Sequence, residues 1–422
     1  MNKNEIKRVI VSQSETSSNS NYVERELGFA DNGPQNDPFI RIITGIRRCG
    51  KSTLMDKIRH SNPENHFFIN FDDNRLTGFT AEDFERMYES FYELYDTEKT
   101  WYFDEIQSIE GWEMFIRRLH NQGHKVYITG SNAGILSAEL GTKLTGRYLQ
   151  SELFPFSFSE YIHFKGVFPG ENDVYSSEKA IVLQKLFREY LISGGFPEFL
   201  ITGNVEYLNN LYENVIYRDV ITRYSIRNSK TLIELIHFLI CNVAKETSYN
   251  SLKNIFGISN AITVKEYIGY FEDSYLLFSI NKYDFSLKKQ IANPKKIYSI
   301  DTGLANSVSF QFSENVERQL ENIVFLHLRR STTEIYYHKG NFECDFIVTQ
   351  NKKVIQAIQV CQSLENDLVR NREMAGLIEA MSSYQLTEGL ILTEDEEETI
   401  THIQGTVRLL PVWKWLLGFG IK

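Results

Sequence analysis

The sequence predicts an α/β protein in which a parallel-sheet domain is followed by two smaller domains. Three observations carry this prediction. A short run rich in β-branched residues at 39–43 leads into a glycine-rich loop and then a helix. Apolar strands at 66–71 and 100–105 both run into acidic residues, and a strand at 125–130 runs into small polar ones. Apolar strands that alternate with helices are typical of a parallel sheet, and 422 residues suffice for two or three domains.

The loop after the first strand has the spacing of a phosphate-binding loop. Residues 44–52 read Thr-Gly-Ile-Arg-Arg-Cys-Gly-Lys-Ser and fit the pattern G-x-x-x-x-G-K-[ST] at each defined position. The two glycines let the backbone N–H groups surround a polyphosphate. Lys51 places a charge at the β and γ phosphates, and the Ser52 hydroxyl is placed to ligate Mg²⁺. The flanking strand and helix argue against a chance Gly-Lys-Ser turn. The residues predicted to hold ATP are Gly45, Ile46, Arg47, Arg48, Cys49, Gly50, Lys51, Ser52 and Thr53.

The strand at 100–104 is predicted to supply the acidic residues of the reaction. Three bulky residues lead into Asp104 and Glu105, the arrangement of a Walker B strand. Asp104 would hold Mg²⁺, and Glu105 would polarise the attacking water as general base. By itself, an apolar strand ending in two acids also occurs wherever a strand meets solvent. Behind a complete phosphate loop it indicates an ATPase.

Two further positions are candidates for contact with the γ-phosphate. Asn132 or Ser131, after the strand at 125–130, could sense the γ-phosphate or its water, although serine and asparagine also cap strand ends. Arg147 stands just before the strand at 148–153, where an arginine finger could offset charge on the transferred phosphoryl group. A surface arginine without a catalytic role is the alternative at that position.

Composition and charge narrow the class of protein. A 42% hydrophobic share with 24% charged residues is typical of globular proteins, and a net charge of −10 argues against a general nucleic-acid coat. The stretch at 409–421 is too short to span a membrane and is broken by Pro411 and Lys414. We therefore expect a cytoplasmic protein with no membrane partner. The scattered cysteines, which form no C-x-x-C pair and fit a reducing compartment, are Cys49, Cys241, Cys344 and Cys361.

The order of the motifs resembles a prokaryotic AAA-type P-loop ATPase family. The resemblance rests on residues 45–52, 103–105, 129–132 and 146–147, with further similarity at 153–158 and 193–198. Residues 296–304 are similar to the signature of the C-terminal domain of unknown function in that family. The resemblance implies that Arg147 acts in trans, and therefore that the protein forms a homo-oligomer.

The same resemblance suggests how the chain divides. Residues 1–22 are expected to form a partly ordered segment, 23–215 the AAA-type domain, 216–285 a winged-helix-like domain and 286–422 a restriction-nuclease-like domain. Within 216–285, a short helix at 249–255 precedes a helix at 261–273 that Ser259 caps. Lys253, Lys265 and Tyr267 could face DNA. The neighbouring acids at 266, 272 and 273 reduce the local positive charge, so a protein partner is the alternative.

The C-terminal region carries part of a nuclease pattern. Glu321 and Asp345 occupy the places of two metal-binding carboxylates, but Gln359-Val-Cys361 stands where Glu-x-Lys is expected. An amide is a poorer metal ligand than a carboxylate, and a thiol cannot supply the ammonium charge. We therefore predict a degenerate nuclease-like domain. The predicted function is slow, Mg²⁺-dependent ATP hydrolysis whose nucleotide state switches the attached domains. An ATP-gated DNA nuclease and a DNA-binding regulator are the alternatives.

Overall fold

The computed structural model describes residues 1–15, 22–27, 39–62, 66–95, 100–131, 146–309 and 316–420. These residues form two compact units. The first comprises Met1–Phe154 together with Asp273–Tyr275, and the second comprises Pro155–Glu272 and Leu276–Lys422. Residues 155–215, which the sequence analysis assigned to the ATPase domain, therefore lie in the second unit. The division into three domains stays a prediction.

The first unit alternates strands and helices, as the sequence predicted. Its described elements are α1 (Lys3–Glu15), β1 (Ile40–Thr44), α2 (Lys51–Ser61), β2 (His66–Asn70), α3 (Asp83–Leu94), β3 (Thr100–Asp104), α4 (Trp112–Asn121), β4 (Lys125–Gly130) and β5 (Tyr148–Glu152). Two short 3₁₀ turns lie at Asn74–Leu76 and Ile106–Ser108.

The strands of the first unit form a five-stranded parallel sheet in the order β2-β3-β4-β1-β5. The prediction of a parallel α/β sheet is thus confirmed. Helix α1 was not predicted from the sequence, yet its buried residues Ile6, Val9 and Ile10 belong to the hydrophobic core of this unit. Those three positions repeat at helical spacing and so form one apolar face.

The second unit begins with helices and ends with a mixed sheet. Its described helices are α5 (Phe158–Phe164), α6 (Ser177–Ser193), α7 (Pro197–Thr202), α8 (Val205–Asn214), α9 (Ser229–Cys241), α10 (Tyr249–Ile255), α11 (Ala261–Asp273), α12 (Leu287–Ala292), α13 (Thr302–Val308), α14 (Val316–Ser331), α15 (Asp367–Tyr384) and α16 (Val412–Leu416), with a 3₁₀ turn at Asp173–Tyr175 and a π-helix at Val215–Thr222. Its described strands are β6 (Glu246–Thr247), β7 (Leu277–Lys282), β8 (Lys295–Ser299), β9 (Ile335–Lys339), β10 (Glu343–Gln350), β11 (Lys353–Val360), β12 (Glu388–Thr393), β13 (Glu398–His402) and β14 (Gly405–Pro411).

One continuous sheet runs through most of the second unit, in the order β13-β14-β12-β11-β10-β9-β7-β8-β6. Strand β8 pairs antiparallel with both β7 and β6, and β7 pairs parallel with β9. The predicted boundary between residues 285 and 286 falls inside the connection between β7 and β8. Within the part of the chain that the structure describes, no helix is both long and apolar enough to cross a lipid bilayer.

Two of the motifs that carried the family resemblance contact each other in the second unit. The Asp301 carboxylate accepts hydrogen bonds from the backbone N–H groups of Gly195 (2.7 Å) and Leu304 (2.8 Å), so it also caps α13. A side chain at position 194 would strike the Asp301 carboxylate, and one at 303 would strike the Ser193 carbonyl. The glycines at 193–198 and 301–304 are therefore explained by packing.

Candidate nucleotide-binding site

The phosphate loop leaves the sheet at the carboxyl end of β1. Strand β4 lies between β1 and β3, so the residues that follow all three strands are neighbours along one edge. The loop spans residues 45–50 and ends in α2, as the sequence predicted. This edge gathers the loop, the acids at 104 and 105, and the end of β4.

The backbone of the loop adopts the turns that the glycines were expected to allow. Gly45 has φ 150° and Gly50 has φ 104°, and Arg48 adopts the left-handed region at φ 67°. A Cβ at Gly45 would strike the carbonyl of Leu153 at the end of β5, so this position needs glycine for close approach as well as for the turn. Gly50 precedes α2, and no side chain among the described residues caps this helix, which leaves its first-turn N–H groups available to an anion.

The Lys51 side chain folds back over the loop. Its ammonium donates to the carbonyls of Gly45 and Ile46, both at 3.2 Å, and lies 3.5 Å from Glu105 Oε1. Only 4% of the side chain is exposed. Burial alone would lower the pKa of Lys51, but Glu105 and the other nearby anionic groups raise it, so the ammonium remains charged. The loop therefore holds a positive charge among its own carbonyls.

Asp104 lies beside Ser52, as a shared magnesium site requires. The Asp104 carboxylate accepts hydrogen bonds from the hydroxyls of Ser52 and Thr129. It is 1% exposed, and burial together with the charge of Glu105 raises its pKa to about 6. A carboxylate and a hydroxyl oxygen in contact are hard ligands of the kind that Mg²⁺ prefers. The pair predicted as metal ligands is thus adjacent in the structure.

Glu105 occupies a strained position at the end of β3. Its φ of 54° is left-handed, an uncommon conformation for a residue with a side chain that is often found at functional sites. Its N–H donates to Thr129 Oγ1 at 3.1 Å, and its carboxylate accepts from Gln107 Nε2. Burial would raise the pKa of Glu105, but Lys51 and the Gln107 hydrogen bond lower it overall. The side chain is therefore ionised at neutral pH and able to accept a hydrogen bond from water.

The end of β4 offers a buried hydroxyl two residues after Thr129, on Ser131. Ser131 is 2% exposed, and its Oγ has no hydrogen-bond partner among the described residues. A buried hydroxyl without a partner is costly, and such a group commonly binds a ligand or a water. Asn132, the other candidate for contact with the γ-phosphate, lies outside the described residues.

Arg147 is placed away from the phosphate loop of its own chain. It immediately precedes β5, and its carbonyl accepts from Ile40 N at 2.9 Å, at the amino-terminal edge of the sheet. Its Nη1 donates to Asn121 Oδ1 at 2.8 Å. Strand β5 separates Arg147 from the loop edge by five residues, which is about 16 Å at ~3.3 Å per residue. The Arg147 side chain is therefore too far from the phosphate loop of its own chain to contact a phosphate bound there.

The structure identifies two further candidate residues that the sequence did not predict as part of the site, Arg25 and Thr129. Arg25 donates to the Cys49 carbonyl in the loop (2.9 Å) and to the Phe154 carbonyl after β5 (2.5 Å). Thr129 bridges Asp104 and Glu105. Thr129 had a sequence signal, because it lies in the apolar strand that ends beside the site. Arg25 had none, since it lies about twenty residues before the loop and outside any periodic pattern.

The acidic residues of the predicted nuclease pattern meet in the second unit, around a lysine. Glu321 on α14 and Asp345 on β10 both bind the ammonium of Lys296 on β8. The Gln359 amide accepts from Asp345 N at 3.3 Å and donates to Glu373. Cys361 is fully buried in a hydrophobic cluster. Among the described residues, no group of three or more His, Cys, Asp or Glu side chains is arranged to hold a metal ion.

Comparison with known proteins assigns the phosphate-loop region to a family. Residues 37–162 match the model of an AAA domain, and residues 184–315 match a domain of unknown function (DUF8612). The matched AAA domain contains the phosphate loop, Asp104 and Glu105, and the match supports a nucleotide-binding, ATPase-like function.

Full-length relatives are also similar. The uncharacterized protein MJ1544 of Methanocaldococcus jannaschii is 34% identical over 400 residues, covering 90% of this chain and 88% of that protein. An uncharacterized protein of Haemophilus influenzae is 27% identical over 418 residues, covering 95% of this chain and 98% of that one. The solved structure of AMPPCP-bound DnaA from Aquifex aeolicus aligns with 56% of this chain and 82% of its own, at 13% identity and a TM-score of 0.25.

Proposed function

We propose that this chain, which belongs to the same family as the archaeal protein MJ1544, is an AAA-type ATPase that hydrolyses ATP with Mg²⁺. The observation that carries the proposal is the convergence of Lys51, Ser52, Asp104 and Glu105 at one sheet edge. In the sequence the first two residues are separated from the last two by more than fifty positions. Their contact in the fold is what a phosphate site with a metal and a water requires.

Each residue has a role that follows from its position. The N–H groups of residues 46–53 bind the phosphate oxygens, and the Lys51 ammonium moves from the loop carbonyls to the β and γ phosphates. Ser52 and Asp104 hold Mg²⁺, which when bound neutralises charge on the phosphate oxygens. Thr129 holds both the Asp104 carboxylate and the Glu105 backbone in place through hydrogen bonds of its hydroxyl.

Glu105 orients the attacking water. Its carboxylate is ionised in the nucleotide-free protein because Lys51 and Gln107 stabilise the charge. When Lys51 turns to the phosphates, Glu105 loses that partner, which raises its pKa and strengthens it as a base. Ser131 supplies a hydroxyl that the γ-phosphate or the water satisfies. Arg147 completes the site from a neighbouring molecule, so turnover depends on homo-oligomer formation.

Phosphate release from ATP by purified full-length protein, with and without Mg²⁺, tests this function. Glu105→Gln should bind ATP as tightly as wild type and lose turnover by about 10²-fold or more. Glu110→Gln is the matched control, because Glu110 is an exposed acid on the same segment and should hydrolyse at the parent rate. Equal turnover by wild type and Glu105→Gln would show that Glu105 does not act on the water.

A DNA contact through the second unit is a second candidate, favoured by one observation. The elements run α9, β6, α10, α11, β7 and β8, with β8 paired to both β6 and β7, which is the connectivity of a winged helix. In this proposal α11 is the recognition helix, with Lys265 exposed on it. Titration of a labelled duplex at two salt concentrations tests it, because Lys265→Ala should weaken binding and flatten the salt dependence. If binding is absent at low salt, the module serves a protein partner or the ATPase itself.

A further inference from the structure

A buried lysine lies at the centre of the acidic cluster in the second unit. The Lys296 ammonium is bonded to Glu343 Oε1 (2.7 Å), Asp345 Oδ1 (2.8 Å) and Glu321 Oε1 (3.0 Å), and its side chain is 1% exposed. The three carboxylates come from β10 and α14, and the lysine comes from β8. Three carboxylates from two separate elements form a shell around one ammonium.

The surrounding hydrogen bonds hold this shell in place. Tyr298 OH donates to Glu321 Oε1 at 2.7 Å, and Val360 N donates to Asp345 Oδ2 at 2.9 Å. Glu343 also binds Lys339. The carboxylate positions are therefore supported by β8 and β11 as well as by Lys296, and they do not depend on the ammonium alone.

The charges in the cluster do not balance. Glu246 also lies 3.6 Å from Lys339, so four carboxylates face the two ammonium groups of Lys296 and Lys339, which leaves an excess of two negative charges. Burial and the nearby Asp345 raise the pKa of Glu321 to about 8, as expected where a proton helps to neutralise that excess. Burial would lower the pKa of Lys296, but Asp345 and Glu321 raise it well above its ordinary value. The carboxylate cage formed by Glu321, Glu343 and Asp345 thus requires a cation, and its carboxylates outnumber the ammonium groups that face them.

We propose that Lys296 is a built-in substitute for a divalent cation, and that its side chain keeps the carboxylate cage of the second unit closed to metal ions. This inference is independent of the proposed ATPase function, since every residue in it lies in the second unit. It makes this acidic cluster independent of metal ions. Metal-dependent cleavage of a phosphodiester by two carboxylates needs a vacant position for the ion. In this proposal the Lys296 ammonium occupies that position.

The dimensions indicate which ion the emptied cage would take. The carboxylate oxygens lie 2.7–3.0 Å from the Lys296 nitrogen. Calcium binds oxygen at about 2.3–2.6 Å with flexible geometry, whereas Mg²⁺ needs about 2.0–2.1 Å. The shell has to contract by only a few tenths of an ångström for Ca²⁺. Removing the lysine should therefore create a calcium site rather than a magnesium site.

Replacement of the lysine by alanine tests the inference in the full-length, nucleotide-free protein. We expect Lys296→Ala to gain a Ca²⁺ site by calorimetry, with affinity at least about tenfold above any site in wild type. Its melting temperature should rise with added Ca²⁺, because the ion binds only the folded form. Lys295→Ala is the matched control. That neighbouring buried lysine donates to the carbonyls of Gln290 and Ile291, not to carboxylates, so its removal should create no site.

Two additional measurements separate loss of the ion site from failure of the variant to fold. The double variant Lys296→Ala, Asp345→Asn should lose the Ca²⁺ site, because a carboxylate ligand is gone. If Lys296→Ala does not fold in metal-free buffer, expression and refolding with Ca²⁺ should rescue it, while the same treatment of Lys295→Ala changes nothing. A folded Lys296→Ala protein without a new Ca²⁺ site overturns the inference, and so does a variant that neither folds alone nor with Ca²⁺.

Discussion

Replacement of Lys51 by alanine tests whether this side chain binds the triphosphate. A second lysine on the same helix controls for a general effect of lost charge. The ammonium is 4% exposed, donates to two loop carbonyls at 3.2 Å and lies 3.5 Å from Glu105. In the proposed ATP complex the same charge would face the phosphates. Removing one partner of a buried, hydrogen-bonded charge pair costs about 2–5 kcal/mol of binding free energy. At ~1.4 kcal/mol per decade, the Kd for ATP should rise by about 30- to 4,000-fold.

The control for this variant lies on the same helix. Lys57 is six residues further along α2, where its ammonium sits 4.1 Å from the Tyr22 ring and 3.7 Å from the exposed Glu24. Exposed pairs of this kind contribute less than about 1 kcal/mol, so Lys57→Ala should bind ATP within about fivefold of wild type. Titration with a fluorescent ATP analogue, after circular dichroism confirms folding, measures both. Equal Kd values for the two variants would refute the assignment of Lys51 to the triphosphate.

Three other experiments test the packing at Gly195, the pKa of Asp301 and the proposed assembly of the protein. Gly195→Ala should lower the free energy of unfolding by about 3 kcal/mol, because the added Cβ strikes the backbone of residue 156, whereas Gly269→Ala, in open space within α11, should raise it by about 0.5–1 kcal/mol. Urea unfolding that ranked the two the other way would contradict this packing. Burial raises the pKa of Asp301 to about 6, above its ordinary value, so the folded protein holds that proton more tightly than the unfolded chain. The stability of wild type relative to Asp301→Asn should therefore fall by up to about 3 kcal/mol as pH rises from about 4 to 6.5, and a flat difference would exclude the shift. Finally, mixing Arg147→Ala with Lys51→Ala should restore ATP turnover that neither has alone, because each supplies what the other lacks, and additive rates would rule out action in trans.

Several elements of both units follow from local pattern. The phosphate loop, the strand at 100–104 and the helices at 249–255 and 261–273 were predicted within one or two residues of their bounds. These segments have strong periodicity, and glycine or acidic residues mark their ends. Helix α1 was missed because serine, asparagine and charge around residues 12–21 obscured its short apolar face.

What the sequence by itself determined is the chemistry of the phosphate site, because that chemistry depends on residue types at fixed short spacing. Only the tertiary structure decided the positions and partners of charged residues that belong to no short motif. It placed Lys296 among three carboxylates from β10 and α14, and it placed Arg147 at the far edge of the sheet from its own phosphate loop. The reason is physical: a phosphate loop is built from neighbouring backbone groups, whereas a buried ion cluster forms between strands and helices whose pairing no local pattern encodes.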